Sequence, residues 1–323
     1  MDQPLLSVRN LVTRFRTARG TLTAVDNVSF DVNAGETVAI VGESGSGKSV
    51  TALSILRLIP DPPGHIESGQ ILFEGKDLLK LSEAEIRDVR GDRIAMIFQE
   101  PMSSLNPSLT VGMQVGEPVN IHRKLPWKAA LEKARELLGM VRMSDTASRV
   151  SAYPHQFSGG MRQRAMIAMA LACEPKLIIA DEPTTALDVT VQAQILDLLK
   201  DLAQRTNSAL VLITHDLGVV ARYADRVVVM YGGRVVESAP AAELYARPRH
   251  PYTQGLMASV PRLDGNTSER LVPIEGSPPD LARLPPGCAF APRCRHASAL
   301  CLSAPPPLRE IHPLHQVACV LES

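Results

Sequence analysis

The stretch ETVAIVGESGSGKSVTALSILRLI, Glu36 to Ile59, decides the fold. Its first part, ETVAIVG, is a short apolar run of the kind shown by a strand buried on both faces, and it ends in a glycine-rich turn. Its last part, KSVTALSILRLI, spaces apolar residues as a helix does. Between them GESGSGKS, Gly42 to Ser49, fits G-x-x-x-x-G-K-S/T in the strand, loop and helix setting that this motif demands. Glycines let backbone N–H groups turn inward around phosphate oxygens, and the helix N-terminus adds a favourable dipole. Gly42, Ser44, Gly45, Ser46 and Gly47 are therefore the expected cradle, with Lys48 reaching the β- and γ-phosphates and Ser49 holding Mg²⁺.

Further along, KLIIADEP and SALVLITHD are apolar runs that end in acidic or polar residues, as buried parallel strands of an α/β sheet do. Asp181 closes the first and is expected to hold Mg²⁺; Glu182 beside it is placed to polarise an attacking water as general base. On their own, paired acids at a strand end are more often solvated. A phosphate loop upstream turns the reading towards function. In HQFSGGMRQR, Ser158 is positioned to cap a helix whose first N–H groups Gly159 and Gly160 leave uncovered, a second anion site in one chain.

The early segments LLSVRNL and NVSFDV alternate as half-buried strands and predict an antiparallel β layer. Residues from about 102 to 172 read as a helical subdomain, and RVVVMYGGRVVES as a hairpin around Gly232 and Gly233. After about residue 245 prolines become dense, and the expected division is an ATPase domain over 1–245 and an irregular C-terminal appendage over 246–323.

The phosphate loop and the serine-glycine-glycine element, 23 residues before Asp181, resemble the ATP-binding cassette (ABC) ATPases. In that family the signature of one subunit closes over the ATP held by the phosphate loop of another. The resemblance implies an α/β P-loop ABC cassette: a parallel core sheet, an antiparallel β layer and a helical subdomain. It implies roles for further residues. Gln99, in MIFQEP, would contact Mg²⁺ and the water; Asp188, in TTALDVT, would communicate between the two sites of a dimer; and His215, in LITHD, would touch the γ-phosphate. Phe15, in TRFRT, stands where the family stacks an aromatic ring on adenine, though a core role on the first strand competes. Phe157 and Met161 depart from the usual leucine and glutamine of the signature.

VGESGSGKSVTALSILRL, MIFQEPMSSLNPSLTVG and RHPYTQGL resemble one branch, the ATPase subunits of dipeptide and oligopeptide permeases and their nickel-importing relatives. That branch implies import of dipeptides or oligopeptides, with nickel, glutathione or another small solute as the alternative. Its implied partners are a second, homologous ATPase in a heterodimer, two membrane-spanning permease subunits and an extracytoplasmic binding protein. Its implied place is peripheral, on the cytoplasmic face of the inner membrane.

Composition agrees with a partner-dependent machine. The chain has 323 residues, 45% of them apolar, enough for a sizeable core, and 34 basic against 34 acidic residues give no overall field for nucleic acid or lipid. No run of 18 apolar residues is present and no basic-then-apolar leader opens the chain, so a cytosolic location is expected. A soluble ABC protein acting on nucleic acid would carry two cassettes or a coiled coil, and neither is here.

Four of the five cysteines fall in the last 36 residues: Cys288, Cys294, Cys301 and Cys319. Reduced thiols in the cytosol read as metal or cluster ligands before disulfides. Their spacings are wider than those of zinc knuckles, and also wider than the familiar bacterial ferredoxin run, so spacing leaves zinc and a 4Fe–4S cluster both open. The permease resemblance implies the cluster, and a proline-dense tail with few apolar residues to order itself points to a structural role for it. Cys173 reads as a small buried residue.

Overall fold

The structure, a computed structural model, describes residues 3–18, 20–185, 187–259 and 273–322. Its strands in chain order are β1 Leu6–Thr17, β2 Gly20–Val32, β3 Thr37–Val41, β4 Gly64–Phe73, β5 Lys76–Asp77, β6 Ile94–Ile97, β7 Leu177–Asp181, β8 Ala209–Thr214, β9 Arg226–Tyr231, β10 Arg234–Pro240, β11 Arg309–His312 and β12 His315–Val317. The helices are α1 Lys48–Ile55, α2 Glu83–Val89, α3 Pro101–Ser104, α4 Val111–His122, α5 Trp127–Met140, α6 Thr146–Arg149, α7 Gly159–Leu171, α8 Val189–Arg205, α9 Leu217–Tyr223, α10 Ala241–Ala246, α11 Pro251–Ala258 and α12 Ala299–Ser303. Contacts divide the chain into two compact units, one of residues 1–32, 37–79 and 213–323, the other of residues 33–36 and 80–212.

In the first unit β1 and β2 pair antiparallel from Leu6↔Val32 to Thr17↔Gly20, and β4 adds to β1 from Leu6↔Phe73, giving the order β2-β1-β4-β5. This is the antiparallel layer that the alternating sequence predicts. A second set of strands runs β11-β12-β10-β9-β3. Every residue of β3 is buried, as a parallel strand covered on both faces requires, and it pairs parallel with β9 from Val38↔Arg226 to Val41↔Val229. β9 returns as β10 through Gly232 and Gly233, whose φ values of +57° and +81° fit a two-residue hairpin turn that only glycine enters freely. The proline-dense tail is not wholly irregular: α11 folds at its start, and β12 pairs with β10 at Glu237↔Val317 and Ser238↔Gln316. Val229, Tyr231, Leu244, Tyr252 and Phe290 share one core cluster, so apolar packing continues from β9 into the tail.

In the second unit β6 and β7 pair parallel from Ile94↔Leu177 to Ile97↔Ala180, and β8 lies beside β7; all residues of β7 and β8 are buried. The helices α3 to α7 fill residues 101–171. Ala130, Ala134, Leu137 and Leu138 make the buried stripe of α5, at the i, i+4, i+7 and i+8 spacing of an amphipathic helix. Ile195, Leu198, Leu199 and Leu202 do the same for α8.

Candidate functional site: a phosphate loop, a carboxylate pair and a thiol pocket

The phosphate loop joins β3 to α1 in the first unit. Gly42 has φ +153°, and a Cβ there would lie 2.2 Å from Met230 O; Gly47 has φ +100°, and a Cβ there would lie 2.5 Å from Ala24 O. Both positions exclude any side chain, which is why the motif's terminal glycines stand here. Gly45, φ +78°, is exposed with open space around it, and Ser44 is exposed. Among the described residues no side chain caps α1, whose N-cap is Gly47. Lys48 is buried and its Nζ donates to Gly42 O at 2.8 Å and Glu43 O at 3.0 Å. Ser46 is also buried, and among the described residues its Oγ has no hydrogen-bond partner. An orphaned hydroxyl in a loop closed to side chains fits a phosphate group, since a buried polar atom left alone costs about 1–3 kcal/mol. Ser49, half-buried, follows on α1. Phe15 is half-buried on β1, where its ring covers Gly64. His215 is exposed just after β8, and the next residue, Asp216, caps α9 by accepting from Gly218 N and Val219 N.

In the second unit Asp181 closes β7 and is buried, whereas Glu182 follows at φ +45°, a backbone conformation uncommon for a glutamate. The Glu182 Oε2 accepts from Gln99 Nε2 at 3.0 Å and from the Thr185 hydroxyl at 2.9 Å. Gln99, expected beside Mg²⁺ and water, is here bonded to the neighbouring carboxylate, and Thr185 is a contact the sequence reading missed. Ser158 is the N-cap of α7 and accepts from Met161 N at 3.4 Å; Asp188 caps α8 in the same way, from Val191 N at 3.0 Å. Gly159 and Gly160 lie at the start of α7, where a Cβ on Gly160 would come within 3.1 Å of Val191 Cγ1. Phe157, the departure from the usual signature, is buried with the Arg149 guanidinium 5.8 Å from its ring centre.

The four clustered cysteines line one small pocket in the first unit, together with Phe290 and His296. All five thiols are free, so the disulfide alternative is not realised. Burial pushes the Cys288 and Cys319 thiols up, while backbone N–H groups of Phe290 and Ala291 at Cys288 and of Leu321 at Cys319 pull the other way. The expected metal centre, iron–sulfur or zinc, gains no support from ligand grouping: among the described residues no set of three or more His, Cys, Asp or Glu is placed to hold a metal ion. Sharing a pocket wall is a looser arrangement than the tight tetrahedron that grips one ion. Cys173 is buried apart from them, and desolvation pushes its thiol up to about 11.

Residues 25–185 match the family described as ABC transporter, and residues 236–301 match the oligopeptide/dipeptide transporter C-terminal region. The dipeptide transport ATP-binding protein DppD of Bacillus subtilis is 53% identical over 99% of this chain and 95% of its own length. The chain belongs to the ABC transporter ATPases. This ABC ATPase is equally similar to the oligopeptide transport ATP-binding protein OppD of Bacillus subtilis, at 53% identity over 97% of the chain and 87% of that protein. Among solved structures, a dimeric ATP-binding cassette in a post-hydrolysis state bound to ADP and Pi superposes with TM-score 0.66 at 29% identity, over 73% of this chain and 98% of the other. The ABC ATPase therefore uses ATP and Mg²⁺. Among the described residues no helix is long and apolar enough to cross a membrane. As an ATPase of the peptide ABC importer kind, it couples to transport through membrane permease partners.

Proposed function

We propose that this ABC ATPase powers import of dipeptides or oligopeptides through a membrane permease. The observation that carries the reading is the joining, in one chain, of an ABC cassette to a peptide-transporter C-terminal region, with near full-length similarity to dipeptide and oligopeptide transport ATP-binding proteins. The partners are a second homologous ATPase, two membrane-spanning subunits and an extracytoplasmic binding protein, and the ATPase sits peripherally on the cytoplasmic face of the inner membrane. Residues 1–245 act as the ATPase domain and 246–323 as its appendage.

Lys48 and the loop from Gly42 to Gly47 take the phosphates, with Phe15 under the adenine. Ser49, Asp181 and Gln99 serve Mg²⁺, Glu182 draws a proton from the attacking water, and His215 meets the γ-phosphate. Ser158, Gly159 and Gly160 close on the ATP of the partner ATPase, with Asp188 at the joint. The loop's unpartnered Ser46 hydroxyl and the two bonds that orient Glu182 support these roles. Reconstituted with its partners, the Glu182→Gln variant should bind ATP, stay dimeric and stop peptide uptake. Uptake at the normal rate would sink the assignment, and wild-type uptake of nickel or glutathione in place of peptides would move the substrate class.

A second reading concerns the thiols. Cys288, Cys294, Cys301 and Cys319 would hold a 4Fe–4S cluster, which would tie four points of the tail together. Amide N–H groups directed at three of the sulfurs support it, since Ser298 N donates to Cys301 Sγ at 3.4 Å beside the contacts at Cys288 and Cys319. Visible absorption with iron and zinc analysis of the purified chain tests it: one zinc and no iron would reverse it.

A further inference from the structure

The second residue of the phosphate loop, Glu43, is a carboxylate in a loop that must accept a polyanion. Its partner lies in the appendage. Arg293, at the end of a 3₁₀ turn over Ala291–Arg293, forks onto it, with Nη1 to Oε2 at 2.6 Å and Nη2 to Oε1 at 3.0 Å. This is no surface pair: the Arg293 side chain is 6% exposed, and its remaining donors go to Glu275 O, Ile274 O and the Tyr231 hydroxyl. The guanidinium also lies 5.9 Å from the ring centres of both Tyr231 and Phe290. Bidentate, buried and stacked, it is the geometry for which lysine is no substitute. Hydrogen bonding to Glu43 accordingly raises the Arg293 pKa above its ordinary value.

A second hold acts on the same residue. The Glu43 N–H donates to the hydroxyl of Tyr252, a fully buried side chain of α11, at 2.8 Å. On the loop side, Glu43 O accepts from Lys48 Nζ and from Ser46 N. Arg293 and Tyr252 thus grip, by side chain and by backbone, the residue whose carbonyl, with that of Gly42, receives the phosphate-binding lysine. Cys294 follows Arg293 directly, and the amides of Phe290 and Ala291 turn onto the Cys288 sulfur, so the arginine and the thiol pocket share one turn.

We propose that Arg293 is a positioning residue for ATP binding, cancelling the Glu43 charge and fixing the phosphate loop from the C-terminal appendage. The inference rests on the reading of Gly42 to Ser49 as the ATP phosphate loop. Without Arg293, an uncompensated carboxylate remains in the loop that takes the phosphates, and the loss should grow with phosphate charge and shrink with added salt.

Equilibrium titration of the full-length chain with MgATP and MgADP tests this, with circular dichroism confirming that each variant is folded. Arg293→Ala should weaken ATP binding about tenfold and ADP binding less; Arg293→Lys should recover only part. Adding Glu43→Gln to Arg293→Ala should restore most of the affinity, because the repelling charge is gone. A merely structural role for Arg293 would not be rescued in this way. Wild-type affinity in folded Arg293→Ala, or no rescue by Glu43→Gln, overturns the inference. Lys48→Ala is the control. If it abolishes ATP binding while Arg293→Ala does not weaken it, the positioning role fails and the loop reading stands; if ATP binding survives Lys48→Ala, the loop reading fails and the inference with it.

Discussion

Glu237 is fully buried on β10, and its carboxylate takes three donors: Oε1 accepts from Arg249 N and His315 Nε2, each at 2.8 Å, and Oε2 from His250 N at 2.9 Å. Glu237→Gln keeps the shape and removes one acceptor. If the amide oxygen stays with Arg249 and His315, the new NH₂ faces the His250 N–H. If the amide flips, His315 can change tautomer, but the NH₂ then faces the Arg249 N–H. Either way one backbone donor is left against another donor. Losing a hydrogen bond to a charged acceptor costs about 1.5–3 kcal/mol, and an unpaired buried N–H costs about 1–3 kcal/mol; because the two overlap, about 3 kcal/mol is expected. The effect should be local, since Glu237 ties β10 to β12 and to the start of α11. Hydrogen exchange is the assay: the Ala318 amide, which donates to Val236 O at 2.8 Å, should exchange about a hundredfold faster in the variant. Protection within a factor of two of wild type would refute the accounting of donors.

Three further outcomes follow from the same structure. His250 is buried with its Nδ1 accepting from Tyr252 N, and desolvation holds its pKa at about 4. Below its ordinary value of 6.5 the unfolded chain takes a proton that the folded chain refuses; stability should therefore be complete above pH 6.5 and fall by about 1.4 kcal/mol per pH unit towards pH 4. Denaturant titrations across that range should lose this slope in His250→Asn, which keeps a capping acceptor. Gly47→Ala would drive a Cβ to within 2.5 Å of Ala24 O at φ +100°, and nucleotide titration should find ATP binding abolished even where the variant folds. Thr185→Val removes the hydroxyl that orients Glu182, so steady-state kinetics should give kcat about tenfold lower with the KM for ATP unchanged.

The elements legible in the sequence are those whose burial imposes a pattern. β3, β7 and β8 are covered on both faces and read as unbroken apolar runs, and the β9–β10 hairpin announces itself because two glycines in succession enter positive φ together. The phosphate loop is legible for the same reason, through glycines that no side chain can replace. Pairings between distant residues are not. Glu43 and Arg293 are 250 positions apart, and each looks like an ordinary surface charge until the fold brings them together. Glu237 and His315, 78 positions apart, hide equally well. β11 and β12 have four and three residues, too few to establish an alternation, and the prolines around them favour a reading as loop. Cysteine spacing along the chain, likewise, left open how closely four sulfurs approach in space.

The pairing of β12 with β10 has a consequence for solubility. β10 is a buried strand, with Val235, Val236 and Ala239 all buried. A chain cut after Ala246 would present the free N–H and C=O groups of β10 as a template to any strand that passed, above all the same strand of another copy. The short hairpin of β11 and β12, with Pro306 and Pro307 before it and Pro313 at its turn, closes that template with a strand too brief and too proline-flanked to extend the sheet further. The appendage is thus also a guard against self-association.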